Sequence, residues 1–507
     1  MGLVRDVATA PEPRHARAVT HAAGAVIALA LLLQLGVLVR RSWAQYHSGN
    51  VAVDFAIFHQ AWHQIGQGDL SPVSTLLRYP YWQSHFELIM WPLSLVGLLF
   101  PSGATLLVLQ DLAIVGSELL ALLWVLEVTQ RDRTWRPWHL LPVLTALLLL
   151  VTSDRIQLAA RGDFHFQPFA TLLLLGGARA LWRGEIRRAW YWLLPALLTG
   201  DVAGTYLAGL GLSAAVARRD TRATGLALVA VGAGWTVSVG LLGASRGSAI
   251  GGYQPLVDER LPSSGGALLV VLVALLLHPA RPLSVLWSKL DLFATNLVGT
   301  GLVGLLHPWT FGVTAVVLLA NGLQESTAFL APFQNFPALL FGTVGTALSL
   351  DWLGRRAAAQ RADAAGPVVP AALVMAAAVA VVGLLAVLAR PATEPGYPEP
   401  AGAAAALDLV ARAAGPQDQV IASFGIVGRF AGREHVRSYL YPRSTPVEAP
   451  RVVFVFSSTI GNVPAPAEQE AAAAAVRALG ATPLVDTADV KAFLWVPPAG
   501  TSQVTLP

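Results

Sequence analysis

Asp54 and Glu87 are carboxylates in strongly apolar surroundings, with histidines close by in the sequence. Asp54 stands in the run Val53-Asp54-Phe55-Ala56-Ile57-Phe58-His59-Gln60, and Glu87 closes Trp82-Gln83-Ser84-His85-Phe86-Glu87. Ionisable groups beside lipid are costly and usually mark a substrate path or a reaction site. Asp54 has the chemistry of a general base, or of a group that orients an acceptor hydroxyl. It is equally suited to capping a helix that starts at Phe55, and the two roles are compatible. His59 and His63 share a helix face, a spacing that can hold a metal ion. An interfacial helix with a polar wet side explains the same pair. His85 and Glu87 would lie at the membrane surface near Asp54, or anchor an aromatic belt with Tyr79, Tyr81, Trp82 and Trp91.

Three further clusters carry polar chemistry. Arg161-Gly162-Asp163-Phe164-His165-Phe166-Gln167-Pro168 directly precedes an apolar run. There Arg161 could hold a phosphate, and Asp163 with His165 could orient it or bind a divalent cation. A surface Arg161–Asp163 pair with a capped helix is the alternative; placement on the same side as Asp54 favours function. Asp201 sits in Thr199-Gly200-Asp201-Val202 between two short apolar segments, as a functional acid or as part of a hairpin turn. Gln324, Glu325 and Gln334 fall between Asn321 and Asn335 and could hydrogen-bond a sugar or a lipid head group, or simply face solvent. Arg246, Tyr253, Asp258, Glu259 and Arg260 form a weaker patch. No phosphate-binding glycine loop, Ser-His-Asp order or zinc-protease helix is present.

These residues need a membrane scaffold to position them. The chain has 507 residues, 55% of them hydrophobic and 13% charged, and a mean hydropathy of +0.58. A soluble protein carries about 25% charged residues. The net charge of +4 is small, and the arginines lie in short clusters between apolar runs, so nucleic-acid binding is not indicated. With no cysteine, disulfides, thiolate metal sites and cysteine nucleophiles are excluded.

Four basic clusters, Arg131 to Arg136, Arg183 to Arg188, Arg218 to Arg222 and Arg355 to Arg361, read as cytoplasmic under the positive-inside rule. Residues 1–19 then form a cytoplasmic N-terminus before an uncleaved first span at 20–39. A large outer loop covers 40–102, with Leu88 to Phe100 too short to cross and read as interfacial. Later spans fall near 103–129, 138–153, 166–182, 189–200, 203–217, 223–243, 284–305, 308–322, 337–353 and 367–389. Leu268 to Leu277 is again too short. The acids gather at one face and the middles of the spans are nearly free of charge, which argues against a polar transport path. After the membrane domain, residues 20–390, a Pro-rich linker at 391–400 leads to a soluble α/β domain at 401–507. Helices are expected at 403–414 and 467–479, and strands at 419–423, 452–456 and 492–496. Odd span parity puts this domain outside the cell.

The order of the short motifs resembles domain-of-unknown-function family 2079 of bacterial polytopic membrane proteins. The matching runs are Asp54 to Gln60, His85-Phe86-Glu87-Leu88 leading to Pro92, Asp163-Phe164-His165 leading to Pro168, and Asn321-Gly322-Leu323. That family is similar to the C-type glycosyltransferases, which use polyprenyl-phosphate sugars. The family often has a Lys-Glu-Asp-like run where this chain has Thr199-Gly200-Asp201, so only the last acid is kept. The resemblance implies a polytopic α-helical membrane protein of about eleven transmembrane helices, C-type glycosyltransferase-like, with a small extracytoplasmic α/β domain. It implies inverting sugar transfer at the outer face of the bacterial cytoplasmic membrane, with Asp54 as the catalytic residue. His85, Glu87, Arg161, Asp163, His165, Asp201, Gln324 and Glu325 would bind substrate. The partners would be a polyprenyl-phosphate-linked sugar, membrane lipid and an envelope glycan or protein acceptor. No cofactor is required by the residues, though a divalent cation is compatible with them. The alternatives are a transporter or flippase of a lipid-linked or polar solute, and a non-catalytic envelope scaffold.

Overall fold

The computed structural model describes residues 14–84, 86–130, 140–161, 163–241, 249–257, 260–261, 267–301, 303–326, 330–362, 402–439, 444–457, 459–460 and 465–507. A helical bundle carries a small α/β unit on one end. Helix α1 (Arg14–Ser48) is followed by α2 (Val53–Gly66), a short hairpin of β1 (Val73–Ser74) and β2 (Tyr79–Pro80), and α3 (Met90–Gly97). The bundle continues through α4 (Ala104–Thr129), α5 (Leu140–Thr152), α6 (Asp154–Arg161), α7 (Gln167–Arg183), α8 (Ile186–Ala196), α9 (Ala203–Ala217) and α10 (Arg222–Leu241). It closes with α11 (Ala267–Leu277), α12 (Ala280–Trp287), α13 (Leu290–Val298), α14 (Phe311–Gly322) and α15 (Phe336–Ala362).

Four of these helices contain stretches long and apolar enough to cross a membrane: His21–Ser48, Ala104–Thr129, Arg222–Gly240 and Phe336–Arg356. A fifth crossing is available if Leu269–Leu277 and Ala280–Trp287, bent by 95°, count as one. Hydropathy alone gives about eleven. The difference arises because α5, α9 and α14 are shorter than a membrane needs by themselves, and residues 367–389 lie outside the described residues. The expected span 284–305 is corrected: the chain there is broken into α12, α13 and a short turn of helix at Val303–Leu306. The breaks fall at Ser288–Lys289 and around Gly301, whose φ of +82° suits glycine. Helix α1 does not stop at residue 39 but runs to Ser48. A helix continues past the apolar slab wherever its backbone bonds are kept, so Arg40 and Arg41 do not end it.

Packing in the bundle depends on small residues. Helices α9 and α10 meet where a Cβ on Gly204 would lie 2.4 Å from the carbonyl oxygen of Gly232. This is the close backbone approach that small residues allow between membrane helices. The main core gathers Leu122, Trp124, Leu174, Leu207, Val313, Phe341 and Val344, all buried.

Three basic clusters meet at one end of the bundle. Arg179 and Arg183 pair with Glu127, Arg218 bonds the Trp182 carbonyl at 2.8 Å, and Arg355 bonds the Val128 carbonyl at 2.9 Å. These are cations at the C-terminal ends of α4 and α7, where the helix dipole favours them. The turn before α7 lies at the other end of that 17-residue helix, about 25 Å away.

The carboxy-terminal unit has α16 (Ala403–Ala413), β3 (Gln419–Ala422), β4 (Val436–Ser438), β5 (Ser444–Pro446), β6 (Val452–Phe456), α17 (Pro466–Ala478), β7 (Thr482–Asp486), β8 (Lys491–Trp495) and β9 (Gln503–Thr505). Its five-stranded sheet has the order β4-β3-β6-β8-β7. Strands β4, β3 and β6 are parallel, and β8 is antiparallel to both its neighbours. Strands β3, β4 and β6 are buried along their whole length, which explains the continuous apolar runs of β6 and of Val420 to Ala422 in β3. The unit docks on the segment bearing Asp54: the Gly428 amide donates to the Val51 carbonyl at 3.0 Å, and Leu407 and Ile426 pack on Gly49.

Candidate functional site

Helix α2 carries Asp54 in its first turn. The N-cap is Ala52, with no side-chain cap of its own, so Asp54 is not the capping residue that local sequence suggests. The cap comes from far away: Asp163 Oδ1 accepts the Ala52 amide at 3.3 Å, and its carboxyl also bonds the Phe55 amide. A carboxylate at a helix N-terminus satisfies orphan donors and complements the helix dipole. Burial, followed by the nearby Asp54 charge, pushes the Asp163 carboxyl up to about 7. Asp54 itself is exposed.

The exposed side of Asp54 faces a cavity of about 240 Å³. Its wall draws on several separate segments: Asp54, Ile57 and Phe58 of α2; Ser84 and Glu87; His165, Phe166 and Gln167; Thr199 to Val202 with Tyr206; and Asn321, Gln324 and Gln334. Asp54, Glu87, His165, Asp201, Gln324 and Gln334, all singled out in the sequence, therefore share one cavity. Among the described residues its lining holds three carboxylates and no arginine or lysine.

Each group is held by identifiable contacts. Glu87 is buried and accepts from the Tyr81 hydroxyl at 3.2 Å. Burial and the Glu87 charge push the Tyr81 phenol well above its ordinary range, which keeps it a donor. The preceding Phe86 has a φ of +56°, a left-handed conformation that is uncommon for a bulky residue, and its ring packs on Trp235 at 5.5 Å. The His165 ring stacks on Phe333 with centroids 3.9 Å apart and planes 4° from parallel. The His165 amide donates to Gln110 Oε1 at 2.6 Å. Asp201 follows Gly200, whose φ of +145° is tolerated only by glycine; the Gly200 carbonyl accepts from Trp235 Nε1 at 3.2 Å. Gln167 donates to Gln334 at 3.1 Å, and Asn321 donates to Asn335 at 3.0 Å.

Lys289 is buried behind this wall, bonding the carbonyls of Gly322 and Gln324. Burial lowers its pKa from the ordinary range, with Glu325 acting in the opposite direction. Glu325 is exposed and does not line the cavity; its amide donates to Gly252 at 2.5 Å. Asp163 is likewise off the wall, turned to the end of α2. Arg161 ends α6 with its side chain outside the described residues, and His85, Arg246, Asp258 and Glu259 also lie outside them.

The His59 and His63 pair does not act as one unit. His59 is buried, with Nδ1 3.1 Å from the Gly428 carbonyl; burial first, then neighbouring cations, lower its pKa to about 4. His63 instead contacts Gln67, at 3.0 Å. No three His, Cys, Asp or Glu side chains are grouped to hold a metal ion among the described residues.

Sequence reasoning passed over Tyr206, Ser84 and Thr199 as cavity residues. The hydroxyl-tipped Tyr206 within an apolar helix was the available signal. It also passed over Asp111 and Glu118, fully buried inside α4, so the middles of the spans are not charge-free. Glu118 Oε1 accepts from Gln34 of α1 at 2.9 Å, and Asp111 faces Ser42 of the same helix.

A family model described as a predicted membrane protein, DUF2079, matches residues 50–476. Among solved structures, ArnT from Cupriavidus metallidurans bound to undecaprenyl phosphate aligns at 13% identity and a TM-score of 0.45, covering 91% of this chain and 97% of that one. The same protein in the apo state aligns at 14% identity and 0.45, covering 90% and 97%. No curated protein matches the chain.

Proposed function

The chain belongs to the DUF2079 family of predicted membrane proteins, and from that footing we propose a membrane glycosyltransferase. It moves a sugar from a polyprenyl-phosphate donor to an envelope acceptor at the outer face of the cytoplasmic membrane. One observation carries this reading: Asp54 shares a cavity with Glu87, His165, Asp201 and Gln324, drawn from distant parts of the chain. The motif resemblance to C-type enzymes, whose first-loop acid falls on Asp54, supports it from a separate direction.

In this reading Asp54 accepts the proton of the acceptor hydroxyl as its oxygen attacks the anomeric carbon. The bond from that carbon to the lipid phosphate oxygen breaks, and the configuration inverts. Phosphate is a good leaving group, so positioning and charge stabilisation do most of the work. Carboxylates and amides of the cavity suit sugar hydroxyls as hydrogen-bond donors. The phosphate's countercharge is assigned to Arg161.

Asp54→Asn in membranes supplied with donor lipid is expected to cut transfer by about 10²-fold or more. Unchanged turnover would reject the assignment. A second reading, transport of a lipid-linked or polar solute, draws on Asp111 and Glu118 inside α4, because intramembrane acids often mark pathways. Solute movement by the purified protein in liposomes, abolished by Glu118→Gln, would favour it.

A further inference from the structure

A second cavity, of about 420 Å³, lies where the last turns of α2 meet the carboxy-terminal unit. Its wall is formed by His63, Gln64 and Gln67, by Asp69, by Val73 and Thr75 at the following hairpin, and by Glu434, His435 and Glu448. Every lining residue but Val73 is polar or charged. The volume falls within the range of small-molecule sites, about 300–1,000 Å³.

The seam between the two parts is closely bonded, so the cavity is built rather than incidental. Gln60 Nε2 donates to the Glu434 carbonyl at 3.0 Å and to the Thr75 hydroxyl at 2.8 Å. The Thr75 hydroxyl donates to the Val436 carbonyl at 2.6 Å, and Arg437 bonds both the Thr75 carbonyl and Glu448. Gln64 Oε1 and His435 Nδ1, on two of the lining side chains, are buried without a hydrogen-bond partner. The nearest carboxylate oxygen to His435 Nδ1, on Glu448, is 3.8 Å away, beyond hydrogen-bond length. Buried polar atoms without partners call for a water, an ion or a ligand.

The chemistry narrows the choice. Asp69, Glu434 and Glu448 make an anion unwelcome. The described acids and imidazoles are not grouped to chelate a metal. Acceptor oxygens outnumber donors, and the Gln67 amide already donates to His63 Nε2. A hydroxyl-rich, uncharged ligand supplies the missing donors. Asp54 and His63 sit nine residues apart on one helix, about 14 Å of axial rise. The two cavities are thus offset along a common support.

We infer that this second cavity binds a saccharide segment of the acceptor, away from the residue that is glycosylated. The inference rests on the transferase reading of the first cavity. Its test uses the full chain with a benzophenone amino acid in place of Gln67, irradiated in the membranes of producing cells. A covalent adduct containing periodate-sensitive carbohydrate is expected, and it should persist with Asp54→Asn, since binding needs no transfer. An adduct with lipid or protein alone, or no adduct, overturns the site. His63→Gln and Glu434→Gln should each raise the acceptor KM about tenfold while leaving kcat within about twofold. An unchanged KM also overturns it. A carbohydrate adduct in a protein that transfers no sugar would keep the site and discard the transferase reading, so the two fail separately.

Discussion

The acids of the first cavity and those of α4 are set into the molecule in opposite ways. Asp54, Glu87 and Asp201 come from three separate segments, one of them the first turn of α2, and converge on open volume. Asp111 and Glu118 lie seven residues apart on one helix, pressed against Ser42 and Gln34 of α1 with no exposed surface. The first group can meet a ligand without moving the backbone. The second meets another helix. Location within the bundle, more than residue type, separates acids that can do chemistry from acids that hold helices together.

The sharpest way to break this comparison is to neutralise one acid of each kind. Asp54→Asn should lower sugar transfer by about 10²-fold or more, whereas Glu118→Gln should retain transfer within a few-fold in a donor-supplied membrane assay. Equal losses would erase the distinction. Glu118→Leu leaves Gln34 without its partner, and a cost of about 1–3 kcal/mol in stability is expected. Thermal unfolding in detergent would measure it, with activity per folded molecule preserved.

Asp163 sharpens the picture in another way, since it is an acid of the site that serves the fold. Its native carboxyl keeps a proton up to about pH 7, while the ordinary value is 3.8. The native state therefore binds the extra proton between those values, and stability falls as pH rises from about 4 to 7. The melting midpoint should show that decline, and Asp163→Asn should remove it. The smallest effect is expected at Tyr81→Phe, which deletes one hydrogen bond to Glu87 and costs about 0.5–1.5 kcal/mol. A change of that size in donor KM, with kcat little altered, would mark Glu87 as a binding group.

Much of the cavity was legible because Asp54, Glu87, His165, Asp201 and Gln324 are polar residues at the ends of apolar runs. Such positions stand out in any hydropathy reading. Their convergence was not legible, because it depends on how the helices pack. The tertiary cap from Asp163 joins residues 111 positions apart, and no local pattern reports such a pair. Averaging over a window also hid Asp111 and Glu118 among the leucines of α4, and hid the breaks at Ser288–Lys289 and Gly301. In the carboxy-terminal unit, β3 and β6 were visible as continuous apolar runs. Strand β4 has Arg437 at its centre, and β7 alternates around Pro483, so neither shows that pattern.

Helix α2 is gripped at its start by Asp163 from the bundle and along its flank, through His59 and Gln60, by the carboxy-terminal unit. It is thus a single rigid element held by both parts of the molecule. A strain on the carboxy-terminal unit is carried through that helix to the turn that holds Asp54.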